Sequence, residues 1–79
     1  MFSILNQSYQ YTGKRIKEWR KEQGLTYEEA AGLLGVNSRR LGLYETGGYV
    51  PLPVQALLHL YLTLGISESV DLLKDGPTQ

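Results

Sequence analysis

Residues 26–46 read TYEEAAGLLGVNSRRLGLYET, and this stretch decides the fold. Thr26 and Glu29 form a capping box, which starts a helix because it satisfies two backbone donors reciprocally. Four apolar residues follow at helical spacing until a glycine ends the segment. Asn37 is a good N-cap for a second helix over 38–45. Two short helices joined by a three-residue turn that contains glycine predict a helix-turn-helix motif.

Glycine and proline divide the rest of the chain into three further helical segments. The first covers about 13–23, with Thr12 as its N-cap. The second covers 53–64 and starts at Pro53, since proline is favoured at the first helical position. The third is short, with Ser67 as its N-cap. We therefore predict an all-α fold, a compact bundle of about five short helices. The predicted organisation is an N-terminal arm, which could be extended, at 1–11, a helix-turn-helix domain that includes the C-terminal helices at 12–75, and a tail at 76–79.

The composition restricts how so short a chain can be stabilised. A single domain of 79 residues buries only about 60% of the surface of its unfolded chain. The absence of cysteine excludes disulfides and thiolate zinc sites. His59 is the single histidine, so a histidine metal cluster cannot form. We expect no metal and no cofactor, and we expect helix packing and oligomerisation to supply the stability.

Neither membrane insertion nor catalysis is expected from the sequence. No apolar run approaches the roughly 18 residues of a membrane span, and residues 1–11 lack the basic and apolar regions of a secretory signal. A cytoplasmic protein is the default expectation. The sequence contains no nucleophile–base pair at motif spacing, no phosphate-binding glycine loop and no metal constellation. We therefore do not expect an enzyme.

Charge is distributed unevenly although the net charge is zero. Residues 14–40 carry seven basic and four acidic side chains, a net charge of +3. Residues 41–79 carry one basic and four acidic side chains, a net charge of −3. Such asymmetry indicates contact with a polyanion on one side, and the alternative is that both halves are simply solvated faces.

The stretch 16–47, IKEWRKEQGLTYEEAAGLLGVNSRRLGLYETG, resembles the helix-turn-helix domain of the phage-repressor and Cro type, often called the Xre family. The resemblance covers about residues 12–65 and implies a lambda-repressor-like fold. More finely, the chain is similar to small phage and prophage regulators, such as anti-CRISPR-associated autorepressors, and to some antitoxin DNA-binding domains. The matching features are Ile16, Trp19, Arg20, Gly24-Leu25-Thr26, Ala31, Leu34-Gly35-Val36, Leu41 and Tyr44-Glu45-Thr46-Gly47.

The resemblance implies that the second helix of the motif enters the major groove of DNA. Arginine pairs bidentately with guanine, so a guanine is expected opposite Arg39. The expected partner of Arg40 is either a base or a phosphate. Arg20 and Glu45 match a structural ion pair between the first and third helices, which excludes Arg20 from the DNA contacts. The expected base-reading residues are Ser38, Arg39, Arg40 and Leu43. The expected phosphate-binding residues are Tyr27, Asn37, Thr46, Tyr49, Lys14 and Lys17. Tyr27 stands at a position where the family commonly has glutamine.

The fourth helical segment, VQALLHLYLTL at 54–64, is apolar nearly all round and must bury a second face. We therefore expect a two-fold homodimer that binds a palindromic operator. The sequence predicts a transcriptional regulator, and its size favours a repressor because no effector domain fits. The alternative is an antitoxin or adaptor that binds a protein partner such as a toxin or co-regulator. The expected dimer-interface residues are Leu57, His59, Leu60, Tyr61 and Leu64.

Overall fold

The computed structural model describes residues 11–74, and every regular element in that range is a helix. The all-α prediction with five short helices is therefore confirmed for the described part of the chain. The predicted arm up to residue 10 and the predicted tail at 76–79 lie outside the described residues. In chain order the helices are α1 (Gly13–Glu22), α2 (Tyr27–Leu34), α3 (Ser38–Glu45), α4 (Leu52–Leu64) and α5 (Ile66–Lys74).

The first three helices begin at the side-chain caps that the sequence predicts. Thr12 Oγ1 accepts a hydrogen bond from the Arg15 amide at the start of α1. The Thr26 hydroxyl accepts from the Glu29 amide at 3.1 Å, and the Glu29 carboxylate accepts from the Thr26 amide at 2.9 Å. Asn37 Oδ1 accepts from the amide three residues later at 2.8 Å. Each cap satisfies backbone donors that a helix start leaves without intrahelical partners.

The last two helices begin earlier than predicted, α4 by one residue and α5 by two. Pro51 takes the N-cap position of α4, so the helix starts at Leu52 and not at Pro53. α5 starts directly after Gly65, whose φ of 89° lies in the region that favours glycine, so Ser67 is inside the first turn. No single helix within residues 11–74 is long and apolar enough to cross a membrane; α4 and α5 pass that test only as a pair bent by 120°.

The core forms where α1, α2, α3 and α4 meet. The Trp19 ring stacks on the Tyr61 ring with centroids 5.6 Å apart, and the Tyr61 hydroxyl donates to the Leu33 carbonyl. Burial raises the pKa of Tyr61 above its ordinary value. Tyr61 was predicted at a dimer interface, but it is only 3% exposed and belongs to the core of its own chain. The buried apolar residues are Ile16, Trp19, Ala30, Ala31, Leu34, Leu41, Tyr44, Val50, Val54, Leu58 and Tyr61.

The beginning of α1 lies directly against the end of α3. Gly13 is buried there, and a Cβ atom added to it would lie 1.6 Å from the Tyr44 carbonyl oxygen. A side chain at this position would overlap the backbone of α3. Glycine therefore permits the close approach that sets α3 against α1.

Candidate nucleic-acid interface

Helix α3 buries one face and presents the other to solvent. Leu41 and Tyr44 are buried in the core, whereas Arg39 is exposed and Leu43 is 58% exposed. Arg39 and Leu43 are four residues apart, so their side chains are neighbours on the outward ridge of the helix. The outward face of α3 thus combines one guanidinium group with one apolar side chain.

Two further predicted base readers flank this ridge. Ser38 is half-buried at the first position of α3, and Arg40 is exposed. Arg40 lines a groove of about 420 Å³ together with the turn at Gly35–Asn37 and the start of α4. Ser38 and Arg40 therefore lie beside the ridge that carries Arg39 and Leu43, on the same end of α3.

A bidentate ion pair joins α1 to the last residue of α3. Arg20 Nε donates to Glu45 Oε2 at 2.8 Å, and Arg20 Nη2 donates to Glu45 Oε1 at 3.0 Å. The Glu45 side chain is only 2% exposed. The hydrogen bond to Glu45 raises the pKa of Arg20 above its ordinary value. The pair is the one that the resemblance implies, and it commits the guanidinium of Arg20 to the scaffold.

Tyr27 contributes to the same scaffold in a way that sequence reasoning missed. The guanidinium carbon of Arg20 lies 4.3 Å from the centroid of the Tyr27 ring, within the range of a cation–π contact. Tyr27 is nevertheless exposed at the first position of α2. Its ring packs against the guanidinium group of the ion pair. Its position at the start of α2 is the one where a phosphate contact was predicted.

The charged residues of α1 separate into two stripes. Arg15 lies 3.6 Å from Glu18 and 3.7 Å from Glu22, so its charge is compensated within the helix. Lys14, Lys17 and Lys21 are exposed and recur at the spacing of one helix face. Lys17 also falls one turn from both Gly13 and Arg20, which contact α3. The lysine stripe therefore lies on the side of α1 nearer to α3.

The loop after α3 uses most of its donors internally. The Thr46 hydroxyl donates toward two carbonyl oxygens of α3, that of Gly42 at 3.0 Å and that of Leu43 at 3.1 Å. The amides of Thr46, Gly47 and Gly48 donate to carbonyls of α3. A phosphate offers only acceptors, so Thr46, which was predicted to bind one, has its hydroxyl proton already engaged. We leave Thr46 out of the interface that we propose.

Two other predicted phosphate contacts keep groups that face outward. Tyr49 is 81% exposed, and with Lys14 it lines a groove of about 610 Å³ between the start of α1 and the loop after α3. Asn37 is exposed, and its cap uses only the side-chain oxygen, which leaves its amide nitrogen as a donor. Both residues border α3, at its two ends.

The residues predicted at a dimer interface fall into three groups in the structure. Leu57, Leu60 and Leu64 share one face of α4, which we call the interface stripe. Tyr61 is in the core, and His59 points to the other side of α4, where its Nδ1 lies 2.7 Å from the Tyr11 hydroxyl. We therefore leave Tyr61 and His59 out of the interface that we propose.

Helix α5 extends the apolar surface beside the interface stripe. Leu72 and Leu73 are both more than half exposed. Leu73 and Leu57 line one groove of about 430 Å³, with Leu33 and Val70 beside them. The structure brings Leu73 and Leu57 together at one surface.

Comparison with known proteins identifies the family. A family model described as a helix-turn-helix domain matches residues 13–72. The chain belongs to this helix-turn-helix domain family. The match runs from the first residue of α1 into α5, and it covers the whole of α2, α3 and α4. The helix-turn-helix prediction is confirmed at this level.

One relative of the helix-turn-helix domain comes from Methanoregula boonei and is named, provisionally, an HTH-type transcriptional regulatory protein. The two sequences are 28% identical over 67 residues, which is 85% of this chain and 21% of that protein. The chain thus spans about a fifth of that relative's length. The search of solved structures returned no match.

Proposed function

We propose that this helix-turn-helix domain belongs to a cytoplasmic transcriptional regulator that binds specific double-stranded DNA sequences, a repressor of the phage-repressor and Cro type. Small phage and prophage regulators, such as anti-CRISPR-associated autorepressors, are the class that it resembles. The observation that carries the proposal is the outward ridge of α3, where Arg39 and Leu43 are exposed together. The ion pair between Arg20 and Glu45 supports it, since a reading helix must be held rigidly.

The ridge has the chemistry of direct base readout. The guanidinium of Arg39 matches the O6 and N7 acceptors of guanine in the major groove. Leu43, one helical turn later, presents an apolar surface of the kind that contacts a thymine methyl group. Ser38 is a weaker reader because a hydroxyl group bonds to several bases, and Arg40 binds a neighbouring base or phosphate. Each half-site is therefore expected to contain a guanine opposite Arg39.

Contacts to phosphates would surround this ridge and set the register of the helix on DNA. Lys14 and Lys17 supply point charges from the lysine stripe of α1, and Tyr49 shares the groove beside Lys14. The Tyr27 hydroxyl and the Asn37 side-chain amide supply neutral donors at the starts of α2 and α3. Binding through such residues depends steeply on salt, because each neutralised phosphate releases counterions.

We further propose that the regulator is a two-fold homodimer in which the interface stripe of one chain packs on that of its partner. Leu64 is the most exposed member of the stripe, and exposed leucines of α5 lie nearby. A two-fold dimer of this type places two α3 helices about one DNA turn apart. The operator would then be an inverted repeat.

The test of DNA recognition is the binding of fluorescent duplexes, followed by anisotropy across a salt series. A site is first selected from random duplexes by the wild-type protein. That site is expected to bind at least about 10³-fold more tightly than scrambled duplex, as specific binders do. The double variant Arg39→Ala, Arg40→Ala should lose this preference, because it removes the groups proposed to read bases.

The control is Arg15→Ala, which removes one guanidinium group from the compensated side of α1, where the double variant removes two from α3. Its preference for the selected site should stay close to that of the wild type. An equal loss in this control would mean that the arginines of α3 act only through net charge. If no duplex binds beyond the non-specific range, the proposal is wrong, and the alternative of a protein partner such as a toxin or co-regulator takes its place.

The test of the dimer is sedimentation equilibrium of the wild type and of two leucine variants. Leu64→Glu introduces a charge into the interface stripe and should give a monomer. Leu43→Glu introduces the same charge on α3, outside the stripe, at a leucine that is 58% exposed where Leu64 is 41% exposed, and should remain dimeric. A monomeric wild type, or a Leu64→Glu variant that remains a dimer, would contradict the proposed interface.

A further inference from the structure

Arg40 stands on the flank of α3 and not on its outward ridge. Successive residues of an α-helix are about 100° apart, so Arg39 and Leu43 share a ridge about 40° wide. Arg40 is about 80° from the middle of that ridge, and its neighbour one turn later is the buried Tyr44. Arg40 also lines the groove of about 420 Å³ that is completed by the turn at residues 35–37 and the start of α4. Arg40 therefore borders the outward face of α3 on the side toward α4.

The groove beside Arg40 offers hydrogen-bond donors and no negative charge. Every residue that lines it, apart from Arg40 itself, is apolar or neutral. Asn37 borders the same groove, and its side-chain oxygen accepts from the Arg40 amide at 2.8 Å, so the group that it has left is a donor. Within residues 11–74 no carboxylate pairs with the Arg40 guanidinium, whereas Arg15 and Arg20 each pair with glutamate. An uncompensated guanidinium beside an amide donor suits an anion that accepts hydrogen bonds.

The dimensions of the major groove indicate which anion Arg40 would meet on DNA. The groove is about 12 Å wide, and an α-helix with its side chains is about 10–12 Å across. A helix that fills the groove turns its outward ridge toward the base edges on the floor. A side chain about 80° from that ridge then faces a wall of the groove, which consists of sugar and phosphate. The position of Arg40 thus favours a phosphate over a base edge.

We propose that Arg40, together with the Asn37 side-chain amide, binds one backbone phosphate of the DNA and reads no base. Arg40 is then a positioning residue that sets how α3 is seated in the groove, and Arg39 is the arginine of α3 that determines sequence preference. This assignment rests on the proposed DNA binding and decides between the two partners considered for Arg40. The loss of preference expected for the double variant is then due to Arg39.

The two arginines are separated by single variants on the selected and the scrambled duplex across a salt series. Arg40→Ala is expected to weaken binding to both duplexes by the same factor, roughly tenfold, because it removes a charged hydrogen bond. It should also reduce the slope of log affinity against log salt by about one, the effect of one phosphate contact. The ratio of the two affinities should stay that of the wild type.

Arg39→Ala is expected to give the opposite result. It should reduce the ratio of the two affinities by roughly tenfold or more, since a bidentate pair discriminates between bases. Arg15→Ala is the control for charge alone, because Arg15 is compensated within α1, and it should leave the salt slope unchanged. If Arg40→Ala lowers the ratio as Arg39→Ala does, Arg40 reads a base and the proposal is wrong.

Neutral phosphates identify the contact directly. Single methylphosphonate linkages are placed one at a time along the selected site, which removes one phosphate charge and changes no base. At one position of each half-site, the wild type is expected to lose affinity while Arg40→Ala loses nothing further, because its partner group is already absent. At every other position the two proteins should lose the same factor. Equal losses at all positions would overturn the assignment.

Failure of this assignment and failure of DNA recognition give different results. A wild type that prefers no duplex contradicts DNA recognition and, with it, the role of Arg40. A wild type that prefers the selected site, together with an Arg40→Ala variant that tolerates other bases there, overturns the role of Arg40 alone.

Discussion

Replacing Glu45 with alanine is expected to lower the free energy of unfolding by about 3 kcal/mol. The substitution leaves the Arg20 guanidinium, whose side chain is only 13% exposed, without its bidentate partner between α1 and α3. Whole domains of this length have free energies of unfolding of roughly 4–12 kcal/mol, so the loss is a large fraction of the total. Urea unfolding followed by the fluorescence of Trp19, the single tryptophan, measures it.

The matched control is Glu18→Ala, which removes an exposed carboxylate 3.6 Å from Arg15. Pairs of this kind contribute little, and a loss below about 0.5 kcal/mol is expected. If both variants lose the same small amount, the pair between Arg20 and Glu45 is worth no more than a surface ion pair. Other contacts would then have to hold α3 in place.

Replacing Gly13 with alanine is expected to lower the melting temperature by roughly 10–20 °C. The new Cβ would lie 1.6 Å from the Tyr44 carbonyl oxygen and 2.5 Å from the carbonyl carbon, so α1 and α3 must move apart. Overpacking against a backbone that cannot yield costs about 2–3 kcal/mol. For a domain of this size, each kcal/mol corresponds to about 4–8 °C. Thermal unfolding followed by circular dichroism measures the shift.

Gly32→Ala makes the same substitution in the interior of α2 and should have the opposite sign. A Cβ atom at Gly32 meets no heavy atom within 4 Å. Alanine is a better helix former than glycine by about 0.8–1.0 kcal/mol, so the melting temperature should rise by a few degrees. A Gly13→Ala variant that is also stabilised would contradict the close approach of α1 and α3.

Both predictions concern the support of α3 and not its outward ridge. A helix of eight residues is too short to be stable alone in water, so its form and direction depend on what it packs against. The Gly13 contact and the Arg20–Glu45 pair hold the C-terminal end of α3, and the Asn37 cap defines its start. Arg39 and Leu43 are left exposed on a helix that its neighbours keep in place.

The predictions from sequence succeeded where the deciding groups are close in the chain. The caps at Thr12, Thr26 and Asn37 join residues three positions apart, and each was predicted from residue type and spacing. The predicted start of α5, with Ser67 as its cap, is two residues late, because the positive φ of Gly65 already permits the bend before Ile66. Thr46, which was predicted to bind a phosphate, has a use within the chain that stayed hidden for a related reason. Its hydroxyl ends α3, and residue type alone does not reveal that use.

Helix α4 shows where tertiary structure was needed. Its sequence is apolar on nearly every side, so periodicity could not assign its leucines, Tyr61 and His59 to separate faces. The hydrogen bond that places Tyr61 in the core joins residues 28 positions apart, and the one that turns His59 toward Tyr11 joins residues 48 positions apart. Local sequence was enough for the helices, the turn between α2 and α3, and the residues that face outward on α3, because backbone hydrogen bonding and side-chain spacing are local. The separation of Tyr61 and His59 from the interface stripe required the folded chain, because burial is a property of distant segments brought together.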